Sequence, residues 1–159
     1  MIFAAVGTQK FPMDRLVTEL DRIAGAGLVT EEIFVQSGTS GCAVQHIRCS
    51  PYLEKTDMDA RVAACSILIC HAGVGTILTG LKAGKKVIVV PRRAALGEHV
   101  DDHQLEIAQS FARAGYVLVV EDIAGLAGAI CESAAWQPKP FASNKDKFSE
   151  LILSLIADA

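Results

Sequence analysis

A run of apolar residues empties through two closely spaced glycines in Ile67-Leu68-Ile69-Cys70-His71-Ala72-Gly73-Val74-Gly75-Thr76. A strand that passes through glycines into a helix leaves backbone N–H groups bare, with the positive helix end facing the same point. Glycine lets an anion come close, and the Thr76 hydroxyl adds a donor. The segment predicts an anion-binding turn, although taken alone it also fits a tight turn with no ligand. It is not the G-x-G-x-x-G dinucleotide fingerprint, because position 78 is Leu and the turn follows the fourth strand rather than the first. Nor is it the G-x-x-x-x-G-K-[ST] phosphate loop. Nicotinamide chemistry and ATP hydrolysis are therefore disfavoured.

A second polar loop runs over 91–104. Its Glu98, His99, Asp101, Asp102, His103 and Gln104 are hydrogen-bonding groups of the kind that grip sugar hydroxyls. Acids at a helix start are also favoured by the dipole without any ligand. His99 and His103, at i and i+4, invite a metal reading but lack a fixed third ligand, so no metal site is expected. Gly7-Thr8 leaves the first strand as a third, weaker candidate. Lys82, Lys85, Lys86, Arg92 and Arg93 fall within twelve positions free of acids, which hints at anion binding or at a solvated basic edge.

The elements that must position these loops alternate between short apolar runs and helix-period segments, the pattern of a βαβ sheet. Strands are predicted over 2–6, 33–36, 43–47, 66–70, 87–90 and 116–120. Helices are predicted from Pro12 to Gly25, from an Asp57 cap to about Cys65, from the glycine turn to near Gly84, and over 101–114 and 123–134. At 159 residues, 51% hydrophobic and 21% charged, the chain suits one α/β domain over 1–159. Its core spans 1–136, with a linker over 137–144 and a terminal helix over 145–159. That helix carries one apolar stripe of Phe148, Leu151, Ile152, Leu155 and Ile156, suited to docking on a partner or on its own domain.

The net charge of −3 argues against a nucleic-acid partner. No apolar run reaches the roughly 20 residues that cross a bilayer. The first residues read as a strand, not a signal peptide. Five cysteines without a C-x-x-C pair suggest free thiols in a reducing cytoplasm.

Together these segments resemble the C-terminal domain of glycosyltransferase family 28. The likeness extends to the soluble subunit of split transferases, in bacterial exopolysaccharide synthesis and in dolichol-linked oligosaccharide synthesis. It rests on Val6-Gly7-Thr8 with Lys10-Phe11-Pro12 and Asp14-Arg15-Leu16, and on the 71–78 turn. Gly84 to Pro91 and Glu98-His99-Val100-Asp101-Asp102-His103-Gln104 complete it, in the same order and spacing.

The resemblance implies a Rossmann-like domain with a mostly parallel sheet, equivalent to the donor-binding half of a GT-B enzyme. Gly73, Val74, Gly75 and Thr76 would face the diphosphate of a UDP-sugar, helped by Gly7 and Thr8. Tyr52 and Leu53 would lie by uracil, and Asp102, His103 and Gln104 by the donor sugar. Thr79 stands where relatives often carry a ribose-binding Glu, and it would make a weaker contact or none. His71 and His99 are the candidates for catalysis.

No metal or other cofactor is implied. The expected activity is transfer of a hexosyl group from a UDP-sugar to a lipid-linked acceptor, at the cytoplasmic membrane face. A membrane-anchored Rossmann-like partner subunit would carry the acceptor site, since one domain supplies one wall of the cleft. Two alternatives stand: a non-catalytic UDP-sugar-binding or regulatory subunit, and a free-standing UDP-sugar-modifying enzyme such as an epimerase.

Overall fold

Short apolar runs, too brief for helices, give strands β1 (Ile2–Ala5), β2 (Ile33–Gln36), β4 (Ile67–Cys70) and β5 (Lys86–Val89). Edge strands β3 (Arg48–Ser50) and β6 (Leu118–Val119) complete the sheet in this computed structural model, which describes residues 1–142. The helices are α1 (Asp14–Gly25), α2 (Lys55–Ala64), α3 (Val74–Lys82), α4 (His103–Arg113) and α5 (Leu126–Ser133). All neighbouring strands pair in parallel, in the order β3-β2-β1-β4-β5-β6. The expected α/β sheet is thus present and entirely parallel. The expected helix over 145–159 lies outside the described residues.

Both faces of the sheet are covered, which is why its central strands read as unbroken apolar runs. Ile2, Ala4 and Val6 of the first strand segment point to Leu16, Leu20 and Ile23 of α1 and to Leu126 and Ile130 of α5. Phe3 and Ala5 point the other way, into a cluster with Val62 of α2, Ile77 and Leu81 of α3, and Phe111 of α4.

The third strand is not at 43–47 as the apolar pattern suggests. Asp21 on α1 accepts the amides of Gln45, His46 and Ile47 at 2.9, 2.7 and 3.2 Å, so those donors are unavailable to a ladder. Pairing moves to Arg48–Ser50, whose exposed or half-buried polar side chains suit an edge strand. Asp57 does not cap α2 but sits in its first turn, after an extended Glu54. α4 begins at His103 rather than 101, because the Asp101 carboxylate takes the His103 amide at 3.1 Å.

The basic run divides. Lys85 Nζ donates to the carbonyls of Ala63 and Cys65 at the end of α2, at 2.6 and 3.0 Å. Lys86 Nζ does the same for Ser133 and Ala134 at the end of α5. These two lysines satisfy helix C-termini instead of forming an anion site. In the predicted linker, Lys139 donates its amide to Gly115 at 2.9 Å and Phe141 meets Tyr116 edge-on, so this stretch packs on the domain.

Gly80 lets α3 approach the sheet closely: a Cβ there would lie 2.6 Å from Leu68 Cδ2 and 2.8 Å from Val87 Cγ2. Gly80→Ala gains about 1 kcal/mol of helix propensity but forces two buried side chains aside. The expected net loss is about 1–2 kcal/mol in denaturant unfolding. Pairing it with Leu68→Ala should restore part of that loss; strictly additive effects would refute the contact.

Candidate functional site

Strand order reverses between β1 and β4, and in parallel sheets such a seam opens a crevice beyond the strand ends. A cavity of about 460 Å³ lies there, lined by the expected Gly7, Thr8, Leu53, His71, Gly73, Gly75 and Thr76. Gln9, Gln36, Lys55 and Met58 complete it. Thr8, Gln9 and Gly75 are exposed, so the crevice opens to solvent.

The glycine turn enters α3 with Gly73 as the residue before the first turn, and no side chain caps that end. The first-turn amides of residues 74–76 have no intrahelical acceptor, as at any helix start. A Cβ on Gly75 would meet nothing within 4 Å, so this glycine fronts open space. The half-buried Val74 side chain turns away, packing with the cluster on the α2–α3–α4 face.

His71 forms the floor. Its ring lies between Gly7 and Gly73: a Cβ on Gly7 would approach ring Cε1 to 2.6 Å, and one on Gly73 would collide with Nε2. Gly7 also has a φ of 83°, a left-handed conformation that favours glycine. The Ala5 carbonyl, 3.3 Å from Nδ1, can only accept, which puts the proton of a neutral imidazole on Nδ1 and leaves Nε2 bare. Burial drives the His71 pKa down to about 4, against the upward pull of the Ala5 bond and helped by the nearby Arg92 and His99. At neutral pH His71 is uncharged and a weak base.

Gln36, at the end of β2, was not foreseen. Its Nε2 donates to Gly7 and Pro51 carbonyls at 3.2 and 2.7 Å, while its Oε1 accepts the Gly7 amide at 3.2 Å. Gly7 therefore shapes the site and has no free amide to offer a ligand. The signal was a polar residue closing an otherwise apolar strand.

The 91–104 segment sits beside the cavity but is not among its lining. Gln104 is buried, and its Oε1 accepts the amides of Ala72 at 3.2 Å and Arg92 at 3.1 Å, stapling the ends of β4 and β5. Asp102 accepts the Ala94 amide at 2.9 Å. His103 pairs with Glu106 at 3.4 Å on the surface of α4. His99 is held by Asp101 at 3.0 Å, its ring 6.3 Å from that of Phe11. Tyr52 is exposed next to Leu53. Thr79 donates its hydroxyl to the Gly75 carbonyl at 2.9 Å. Among the described residues, no group of three or more His, Cys, Asp or Glu side chains is arranged to hold a metal ion.

Beneath the crevice lies a buried charged cluster. Arg92, 1% exposed, donates to the carbonyls of Phe11 at 2.7 Å, Glu98 at 3.0 Å and Val6 at 2.6 Å. The Glu98 carboxylate instead holds Arg15, at 2.7 and 2.9 Å, and the Arg93 amide at 3.1 Å. From sequence, Arg92 belongs to a basic run that fits anion binding or a solvated edge, and Glu98 to a set of sugar-gripping groups. Arg92 ties the first-strand loop to the 91–98 loop, and Glu98 ties that loop to α1.

The model of the family described as "Glycosyltransferase family 28 C-terminal domain" matches residues 1–156. The UDP-N-acetylglucosamine transferase subunit ALG13 of Eremothecium gossypii is 28% identical over 142 residues, covering 84% of this chain and 68% of that protein. The UDP-N-acetylglucosamine--N-acetylmuramyl-(pentapeptide) pyrophosphoryl-undecaprenol N-acetylglucosamine transferase of Solibacter usitatus is 38% identical over 91 residues, 57% of this chain and 22% of that one. ALG13 of Cryptococcus neoformans is 39% identical over 71 residues, 42% of this chain and 34% of the relative. The chain thus spans about a fifth to a third of the length of the latter two.

Among solved structures, the NMR solution structure of ALG13 superposes with a TM-score of 0.60 at 20% identity, covering 94% of this chain and 93% of that one. A glycotransferase of kitacinnamycin gives 0.63 at 19% identity, over 98% of this chain and 39% of that one. These two likenesses establish the fold.

The His71 ring should titrate with a midpoint near 4 in a side-chain NMR pH series. Because its folded pKa lies below the ordinary 6.5, its contribution to stability is present above that value and is lost as pH falls toward 4. A midpoint near 6.5 would show a ring open to solvent and not wedged between glycines.

Proposed function

Because the chain belongs to the glycosyltransferase family 28 C-terminal domain family, we propose that it is the donor-binding catalytic subunit of a two-component glycosyltransferase. The donor is a UDP-sugar, the group transferred is a hexosyl unit, and the acceptor is lipid-linked. The observation that carries this reading is the uncapped start of α3, which opens with its exposed Gly75 into the crevice between β1 and β4. The relatives named for UDP-N-acetylglucosamine transfer support the donor class, and the ALG13 subunits among them support a two-part assembly.

In this reading the amides of residues 74–76 and the Thr76 hydroxyl hold the diphosphate. Leu53, Met58 and the neighbouring Tyr52 offer a surface for the base. The acceptor oxygen attacks the anomeric carbon, the bond from that carbon to the diphosphate oxygen breaks, and the electron pair leaves with UDP. The start of α3 stabilises that growing charge. With so low a basicity His71 is a poor acceptor for the hydroxyl proton at neutral pH, and it acts by shaping the floor. The base belongs on the facing wall, with the partner subunit. The sugar is assigned to the side of the cavity flanked by the 91–104 segment, with His99, Asp102 and His103, and buried Gln104 supports that segment from within. That partner would tether this chain to the membrane surface; among the described residues no helix is long and apolar enough to cross it.

One observation favours a second reading, a UDP-sugar-binding subunit without catalysis. The Thr79 hydroxyl is engaged with its own helix rather than turned toward a ribose. Turnover separates the two: the chain with its membrane-anchored partner, a UDP-sugar and a lipid acceptor should release UDP. Donor binding without release would support the second reading.

Gly75→Asp should lower UDP affinity at least 100-fold by calorimetry, because it sets a carboxylate against the diphosphate. Its thermal midpoint should stay near wild type, since the new side chain enters open space. Unchanged affinity would put the phosphates elsewhere.

A further inference from the structure

A buried guanidinium is expensive unless an anion answers it, and Arg92 has no carboxylate in hydrogen-bond contact among the described residues. The three acceptors its guanidinium reaches are neutral carbonyls, and its buried Nε has no partner among the described residues. The only acid of the cluster, Glu98, is spent on Arg15 in a two-point pair and acts on Arg92 only through space. Two guanidinium groups thus share one carboxylate, leaving an excess positive charge under the crevice.

The surplus has a direction. Arg92 grips Val6, the residue before Gly7, and its own amide is tied through Gln104 to Ala72, the residue before Gly73. The side chain thus grips the loop that carries Gly7, its backbone is tied to the loop that carries Gly73, and its charge lies near enough to lower the basicity of His71 on the cavity floor. Lys55, which lines the same cavity, is already paired with Asp59 at 2.6 Å. Among the described residues Arg92 is held by carbonyls alone, with no carboxylate in hydrogen-bond contact.

We propose that Arg92 is a positioning residue whose buried charge is completed by the donor's diphosphate, acting from beneath the Gly7 and Gly73 loops without touching the ligand. This rests on the diphosphate lying at the start of α3. It assigns to the interior of the protein a share of the anion attraction that the surface lysines do not supply. Phosphate-bearing ligands gain from that charge, and the bare nucleoside does not.

The test compares UDP with uridine on the full chain, by NMR titration at one fixed ionic strength. Arg92→Gln should weaken UDP about 10-fold more than uridine, as loss of a through-space charge requires. Arg92→Lys, which keeps the charge but not the three carbonyl grips, should hold the UDP-to-uridine ratio near wild type. Glu98→Gln removes the competing carboxylate and should shift the ratio toward UDP, a direction that general loosening would not give.

Equal losses for both ligands in Arg92→Gln would reduce Arg92 to a structural tie and overturn the proposal. If Arg92→Gln does not fold, Glu98→Gln decides, and an unchanged or lowered ratio overturns it. Wild-type protein that binds neither ligand would bring down the donor-binding reading as well, whereas a failure of the Arg92 comparison alone leaves that reading intact.

Discussion

The ring of His71 lies where the chain leaves β1 and β4, and both exits give up a Cβ to admit it. Gly7 and Gly73 bracket the imidazole so closely that an alanine at either place would strike it. The Ala5 carbonyl fixes the ring by accepting from both its Nδ1 and the His71 backbone amide, each at 3.3 Å. Given that wedge, the two loops stand at a set separation and the start of α3 opens between them. Without it, two flexible glycine turns would face each other over an undefined gap.

Other interactions serve the same separation. Gln36 pins Gly7 from the β2 side and reaches Pro51 beyond β3. Gln104 joins Ala72 to Arg92, and Arg92 joins the β5 exit to Val6 and Phe11. These polar side chains are buried at the carboxyl end of the sheet, whereas the opposite end is closed by Lys85 and Lys86 on helix carbonyls. A parallel sheet packed on both faces supplies the rigid base on which such polar ties are affordable.

Backbone-driven features were legible in the sequence. The glycine turn at 71–76, the Gly7-Thr8 turn leaving the first strand and the four inner strands follow from residue type and period, and they stand about where they were expected. Features decided by a side chain's destination were not. Gln36, Gln104 and Arg92 read as polar residues near loops, and only the fold turns them inward. β3 was misplaced because its ladder uses Arg48, Cys49 and Ser50, while the more apolar 43–47 segment is held by the Asp21 carboxylate. The resemblance to family 28 placed residues 102–104 near a sugar. In the protein alone Asp102 and Gln104 hold the 91–104 loop in place, and His103 pairs with Glu106 on the surface of α4.

The central claim is that a nucleoside diphosphate rests on the first turn of α3. Amide chemical-shift mapping of the full chain during titration with UDP tests it most directly. The largest shifts should fall on residues 73–76, with smaller ones at Thr8 and Leu53. Shifts centred instead on the second crevice, at the far end of the sheet around Leu28 to Glu31, or no shifts at all, would contradict it.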